Sequence, residues 1–421
     1  MMVLIVNTSE RTGGAAVAAN RLMKALNKHG MEARMLVLHK NTDSTQVQAV
    51  GGKKTRKVAF LWERLVIYLH NGFRRLNLFG ISIANTGFDI TRTSEFKKAD
   101  VIHLHWINQG MLSLKVLQKI SDSGKPVVWT LHDMWPFTGI CHYAGNCLHY
   151  LGQCHHCPLL HKGFSKDLSF KIFNKKKKLF ANSHVTFVGC SRWMENMAGK
   201  SRLLQGQGFT NIPNAIDTEV FKPMDKSAVR KKYNLPQDRK LLLFGAMNIN
   251  DKRKGVDYLI AACRHLSAIC ADPGKEAGIV VFGSNTAQYA PLFPFPCFPL
   301  PYIGNESELA EIYSAVDLFV TPSLQDNLPN TIMESLACGT PCVGFDTGGI
   351  PEMIDHLSNG YVARYKSAED LAEGIRFVLT HPDYGTLCGN ARKKVMDCYA
   401  EEVVARRYAA LYRQVSGSSV S

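Results

Sequence analysis

The sequence contains no run of about 18 apolar residues such as a membrane-spanning helix needs; its most apolar segment, residues 58–69, is broken by Glu63 and Arg64. The first residues, MMVLIVNTS, lack the basic n-region and small-residue cleavage site of a signal peptide and read as a buried strand, so a cytoplasmic chain is expected. No GxGxxG turn leads to an acidic residue closing a second strand. That strand runs instead into Leu38, His39 and Lys40, which argues against a nicotinamide or flavin enzyme. Acidic residues are scarce in one half only: residues 1–210 hold 11 Asp and Glu against 29 Lys and Arg, and residues 211–421 hold 24 against 21. The first half therefore suits an anionic partner, and the second is nearly neutral.

What is present excludes disorder, because 46% of residues are hydrophobic and these are spread along the whole chain. At 421 residues the chain is about twice the size served by one hydrophobic core, so two domains are expected. Apolar runs alternate with helical stretches in both halves: VLIV (3–6), RMLVL (34–38), DVIHLH (100–105), PVVWTLH (126–132) and VTFVGC (185–190), then KLLLFG (240–245), GIVVFG (278–283), DLFVTP (317–322), TPCVGF (340–345) and YVA (361–363). Continuous apolar strands between helices mean parallel sheets covered on both faces. The fold class is thus α/β, with two doubly wound Rossmann-like domains facing a cleft. Pro and Asn punctuate the pattern at 211–223, so residues 1–212 form the expected first domain and 213–395 the second, with 396–421 a C-terminal helix crossing back to the first.

Two segments carry candidate ligand chemistry. Gly13 and Gly14 form a turn into a small-residue helix, whose exposed backbone N–H groups suit a phosphate, although a ligand-free turn has the same pattern. The stretch TPSLQDNLPNTIMESLACGTPCVGFDTGGIPEMI (321–354) reads as a strand end, a polar loop, a helix from Pro329 or Asn330, a glycine stop at Gly339, a buried strand and a Gly-Gly turn. Asp326, Asn330 and Glu334 would lie beyond the carboxyl end of a strand, where ligands sit in open α/β sheets. A carboxylate in the first turns of a helix can accept both hydroxyls of a ribose diol while the helix N-terminus faces a diphosphate; in isolation it equally fits a solvated helix-dipole carboxylate.

The same stretch resembles the nucleotide-sugar site of glycosyltransferase family 4, the retaining GT-B enzymes. The family signature has an acidic residue and, eight positions later, Glu, then a small-rich helix, Gly, a Pro-containing strand and Gly-Gly-x-x-Glu. Asp326, Glu334 and SLACGTPCVGFDTGGIPE follow it. NIPNAIDTEVF (211–221), KRKGVDYLI (252–260) and TGGAAVAANRL are similar to the interdomain segment, the Lys-Gly segment and the N-terminal glycine loop of the family. The resemblance implies a donor held by Glu334, Asn330, Thr331, Lys254, Gly13 and Gly14, with Asp326 and His132 as catalytic residues near the donor sugar. Departures are Asp326 where Glu is common, Leu328-Pro329-Asn330 in place of a Gly-containing loop, and Ile249 where an Arg is usual, which leaves Arg253 as the second cation. His103 and His105, separated by Leu104, are expected to face opposite ways, so that at most one reaches the ligand. No catalytic cofactor is implied, since Lys254, Arg253 and helix N–H groups would neutralise the leaving diphosphate.

Cys141, Cys147, Cys154 and Cys157 fall within the insertion 141–158 and end in C-x-x-C, which suggests a structural zinc, with free buried thiols as the alternative. Residues 56–79 interleave Phe60, Leu61, Leu65, Tyr68, Leu69, Phe73 and Leu76 with Arg56, Lys57, Arg64, Arg74 and Arg75, a pattern suited to an anionic membrane surface or to packing on the helix's own domain. Together these readings describe a peripheral enzyme on the inner face of the cytoplasmic membrane. Its donor would be a nucleoside-diphosphate sugar, its acceptor a lipid-linked bacterial surface glycan, and no nucleic acid is expected. The rivals are a sugar-nucleotide epimerase or phosphorylase and a zinc-containing nucleic-acid binder.

Overall fold

The computed structural model describes residues 1–161, 163–268 and 276–417. It divides into two compact units, Met1–Ala215 together with the chain from Val404, and Ile216–Val403.

In the first unit seven strands, β1 (Met2–Val6), β2 (Glu32–Val37), β3 (Val47–Ala49), β4 (Val101–Leu104), β5 (Val127–Leu131), β6 (Val185–Gly189) and β7 (Gly208–Asn211), form one sheet in the order β3-β2-β1-β4-β5-β6-β7. Every pairing is parallel. The apolar run of β1 is buried on both faces, as the two-residue strand period demands. Val3 and Ile5 pack with Ala19, Leu22 and Leu26 of the helix Gly14–Lys28, whereas Leu4 and Val6 join Ile102, Leu104 and Trp129 on the other side. The last helix, Glu401–Val415, adds Val404, Tyr408 and Tyr412 to the first of these clusters.

In the second unit β8 (Lys240–Asn248), β9 (Ala277–Ser284), β10 (Cys297–Leu300), β11 (Leu318–Thr321), β12 (Cys342–Phe345) and β13 (Gly360–Ala363) give the order β10-β9-β8-β11-β12-β13, again all parallel. Strand order reverses between β1 and β4 in one unit and between β8 and β11 in the other. These are the switch points beside which doubly wound sheets bind ligands, beyond the carboxyl ends of the strands.

Candidate functional site

In the second unit, the chain leaving β8 makes a short turn at Lys252–Lys254, capped by Asp251, whose carboxylate accepts from the Arg253 N–H at 3.0 Å. The same carboxylate holds the Arg253 guanidinium at 2.7 and 3.2 Å, so the cation expected to face a diphosphate is engaged by its neighbour. Gly255 has φ +70°, and a Cβ there would fall 1.9 Å from the Pro322 carbonyl oxygen. Only glycine lets the lysine turn close on the end of β11. From the opposite side Gly348, at φ +61°, would place a Cβ 1.7 Å from the Asp326 carbonyl oxygen, to which the Gly349 N–H donates at 3.2 Å. Clamped by two glycine turns, Asp326 offers its carboxylate to Lys254, with Nζ 2.6 Å from Oδ2.

The helix Asn330–Ala337 starts directly after Pro329, with no side-chain cap, and Asn330 and Thr331 stand half-buried in its first turn. One turn on, Glu334 is only 5% exposed and its carboxylate accepts from the Tyr313 hydroxyl at 3.1 Å. Burial, and then the Glu334 charge, push the Tyr313 phenol well above its usual range, so it stays a donor. Lys254 and Asp326 are thus in direct contact, and Asn330, Thr331 and Glu334 share one helix. Ile249 is a buried core residue.

Gly13, Gly14 and His132 belong to the first unit. Gly14 opens the helix that follows β1, and His132 is the residue after β5. Both His132 ring nitrogens are engaged, Nε2 by His105 Nδ1 at 2.8 Å and Nδ1 by Cys190 Sγ at 3.6 Å. Burial lowers the His132 pKa to about 4 against the opposing pull of Asp133, so the ring is neutral at pH 7. His103 and His105 do not divide between two faces: their ring centroids are 4.2 Å apart, because residues i and i+2 of a strand point the same way.

Asp133 joins three segments. Its carboxylate accepts from Trp106 Nε1 at 2.7 Å, from the Trp135 N–H at 2.9 Å and from His142 Nδ1 at 2.6 Å. Burial alone would raise this carboxyl, but His142 and the N–H donors outweigh it and hold the pKa below its usual value. His142 Nε2 lies 3.0 Å from Ser82 Oγ, so Ser82, His142 and Asp133 reproduce a charge-relay array; Ser82 is wholly buried, and the array fastens the loop after β5. Nothing in the residue spacing announced Tyr313, Cys190 or the Asp133 network.

The cysteine cluster and the helix that precedes it complete the first unit. Cys141, Cys154 and Cys157 are buried thiols and Cys147 is half-buried, yet no group of three or more His, Cys, Asp or Glu side chains among the described residues stands where it could hold a metal ion. Burial raises the Cys141 thiol to about 11 and those of Cys154 and Cys157 to about 12, which keeps them protonated when no metal is bound. A structural zinc on these four thiols stays the proposal that their spacing suggests. The Gly139 N–H donates to Cys154 Sγ at 3.3 Å, and Asp167 accepts from the Cys157 N–H at 2.7 Å.

One expectation needs correction, in the helix Lys53–His70, which is amphipathic the wrong way round for a helix packed by its apolar face. Glu63 and Arg64 point inward as a buried pair at 2.8 Å, with Glu63 accepting from the Ile83 and Ala84 N–H groups at 2.8 and 2.9 Å. Arg64 is therefore not a surface cation. The outer face shows Val58, Leu61, Trp62 (53% exposed), Leu65 and Leu69, continued by Phe73 (67%), Leu76 and Phe79, with exposed Lys53, Lys54, Lys57, Arg74 and Arg75 around them. No helix among the described residues is long and apolar enough to cross a membrane.

Comparison with known proteins agrees with this architecture. The family model Glycosyltransferase Family 4 matches residues 12–220, and Glycosyl transferases group 1 matches residues 238–381. N-acetyl-alpha-D-glucosaminyl L-malate synthase of Bacillus anthracis is 22% identical over 48% of this chain and 53% of its own length. N,N'-diacetylbacillosaminyl-diphospho-undecaprenol alpha-1,3-N-acetylgalactosaminyltransferase of Campylobacter jejuni is 34% identical over 27% of this chain and 30% of its own. The chain spans about half the length, or less, of the first curated relatives it matches. Among solved structures, sucrose-phosphate synthase from Thermosynechococcus elongatus superposes with a TM-score of 0.69 at 18% identity over 100% of both chains. Anabaena Alr3699/HepE, in complex with UDP and glucose, does so with a TM-score of 0.63 at 17% identity over 98% of this chain and 100% of its own. The fold is GT-B.

Proposed function

We propose, of a chain that belongs to glycosyltransferase family 4, that it moves a sugar from a nucleoside-diphosphate donor to a hydroxyl of a lipid-linked glycan, with retention at the anomeric carbon. The observation that carries this reading is the clamped Lys254–Asp326 contact beside the helix that bears Glu334, at the switch point of the second unit. An ammonium has three donor hydrogens, so Lys254 can keep Asp326 while it receives a diphosphate oxygen. Glu334, pre-oriented by Tyr313, would take the ribose hydroxyls, and the N–H groups of Asn330 and Thr331 would face the diphosphate. In the reaction the bond from the anomeric carbon to the diphosphate oxygen breaks, the acceptor oxygen forms the new bond, and the acceptor proton leaves with the diphosphate. Lys254 and the helix N-terminus oppose the charge that develops on the leaving group. Asp326 and His132 would contact the donor sugar. For His132 this means that a sugar oxygen replaces the weak Cys190 contact at Nδ1. Gly13 and Gly14 would lend backbone N–H groups from the acceptor-binding unit.

The outward apolar face of the helix Lys53–His70 and its rim of cations support attachment of the first unit to an anionic membrane, the place where a lipid-linked acceptor is found. The relatives support a nucleotide sugar as donor, because HepE has been crystallised with UDP and glucose. The test is a calorimetric screen of nucleoside-diphosphate sugars followed by product analysis with and without glycan acceptors. Acceptor-dependent release of nucleoside diphosphate is expected. Turnover of the donor without an acceptor, or only with phosphate, would make the protein an epimerase or phosphorylase instead.

A further inference from the structure

His132 has a partner that no part of the proposed reaction uses. His105 Nδ1 lies 2.8 Å from His132 Nε2, and the two rings stack with centroids 5.1 Å apart and planes 25° apart. His105 is itself held from behind. Its ring lies against that of His103, with centroids 4.2 Å apart and planes tilted by 47°; His103 is locked by Tyr412 at 2.7 Å on Nδ1 and by Thr130 at 2.7 Å on Nε2, and Thr130 shares a hydrogen bond with Tyr408 at 2.9 Å. Trp129 Nε1 donates to the His105 carbonyl at 3.0 Å, which fixes the backbone of the same residue. A row of buried side chains running from the last helix to the end of β5 therefore determines where His105 Nδ1 points.

Two proton arrangements fit these contacts. Either His132 donates from Nε2 to His105 and leaves a buried, unpartnered N–H on His105 Nε2, or His105 donates from Nδ1 and leaves a bare nitrogen there. His105 is 3% exposed and its Nε2 has no partner. Orphaned buried donors are rarer in folded proteins than under-used acceptors. We infer that His105 is a positioning residue that donates from Nδ1–H to His132 Nε2, fixing the His132 ring in the Nδ1-protonated tautomer and turning that N–H toward the position now held by the weakly bonded Cys190 sulfur. His132 then offers a ligand oxygen a neutral donor and not an acceptor. The burial that holds both rings well below the usual imidazole range is consistent with this, since neither ring becomes a cation near neutral pH.

This inference rests on the glycosyltransferase reading only for its consequence, and it is tested without turnover. In protein labelled with 15N-histidine, long-range proton–nitrogen correlation distinguishes protonated from bare ring nitrogens, and His132→Gln identifies the His132 signals. The wild type should show His132 protonated on Nδ1 and bare on Nε2 at pH 7. His105→Phe, which keeps a stacked ring but no donor, should abolish the fixed tautomer, whereas His105→Gln, which keeps an N–H donor, should restore it in part. A wild-type His132 protonated on Nε2 overturns the assignment and needs no variant to fold. So does an unchanged His132 tautomer in folded His105→Phe. If the tautomer behaves as expected but His132→Gln turns over substrate normally, His105 keeps its role and the catalytic reading of His132 fails. Where both hold, His105→Phe should lower kcat at least tenfold with donor KM within twofold, and His105→Gln should recover part of the loss.

Discussion

Lys254 Nζ stands 2.6 Å from Asp326 Oδ2 across 72 residues of sequence, and the two loops that carry them meet only because Gly255 and Gly348 leave room for backbone on backbone. The pair is partly open to water, so its own contribution to stability is small, about 1 kcal/mol or less after screening. Its value lies in position. Lys254→Met and Asp326→Asn should each lower turnover more than tenfold, and the double variant should fall short of the product of the two losses, because neighbours in one network do not act independently. Strictly multiplicative losses would mean that the contact has no part in the reaction. Gly348→Ala should be worse for stability than either, since its Cβ would meet the Asp326 backbone.

Glu334→Gln should weaken nucleotide binding by about 1.5–3 kcal/mol, roughly ten- to a hundredfold in Kd, because a charged acceptor becomes a neutral one. Tyr313→Phe should give a smaller loss of the same kind, since it frees the carboxylate without removing it. Calorimetry on folded variants checks both, and an unchanged Kd for Glu334→Gln removes the ribose assignment.

Apart from β13, the strands legible from sequence are interior ones. β1, β5, β8 and β12 are continuous apolar runs because both of their faces are buried. β3, β7 and β10 went unread, and each lies at a sheet edge, where short, polar or Pro-containing segments such as CFPL suffice. At the site, position beyond a strand end pointed to Asp326 and Glu334, and the resemblance to glycosyltransferase family 4 added Lys254; each is tied to a local turn or helix start. Tyr313 and Cys190 carry no local signal: they meet Glu334 and His132 only through folding of the chain. The thiols of 141–157 are legible as a cluster, but spacing along the chain says nothing of how deeply each sulfur is buried. In residues 53–70 the amphipathic period was visible, but its inward side was not, because it is chosen by the Glu63 carboxylate finding two N–H donors at 83 and 84.

Acid should destabilise the first unit before it touches the second. Burial lowers His103 to about 3 and His132 to about 4, and takes His105 well below the usual 6.5. Above pH 6.5 these residues are neutral in both folded and unfolded chains and cost nothing. Below it the unfolded chain binds protons that the folded one refuses, so stability falls as pH drops from about 6.5 toward 4, by up to about 1.4 kcal/mol per pH unit for each such histidine. Thermal unfolding between pH 7 and 4.5 should show this slope, and His132→Gln should make it shallower; an identical slope in that variant would place the titration elsewhere.

Thiol reactivity separates buried sulfurs from ligands. With Cys141, Cys154 and Cys157 buried and their pKa values raised, alkylation of the native protein at pH 8 should reach the half-buried Cys147 well before the other three. Equal protection of all four, lost on treatment with a chelator, would support the structural zinc that their spacing suggests.

The proposed membrane attachment is tested on the outward apolar stripe. Val58, Leu61, Trp62, Leu65 and Leu69 cannot be explained as core, because Glu63, Arg64 and Ile67 already supply the buried side of their helix. Arg74 and Arg75 follow on the same segment and are exposed. Each cation near an anionic bilayer contributes about 1 kcal/mol, an attraction that salt screens, while insertion of the apolar stripe is much less salt-sensitive. Arg74→Glu with Arg75→Glu should therefore weaken binding to phosphatidylglycerol vesicles at low salt about as much as raising the salt does for the wild type. Trp62→Ser with Leu65→Ser should weaken it at both salt concentrations. Sedimentation with vesicles distinguishes these outcomes. Binding by the wild type that neither pair of substitutions alters would move the membrane contact to another face, and no binding at any salt concentration would leave the stripe to a protein partner.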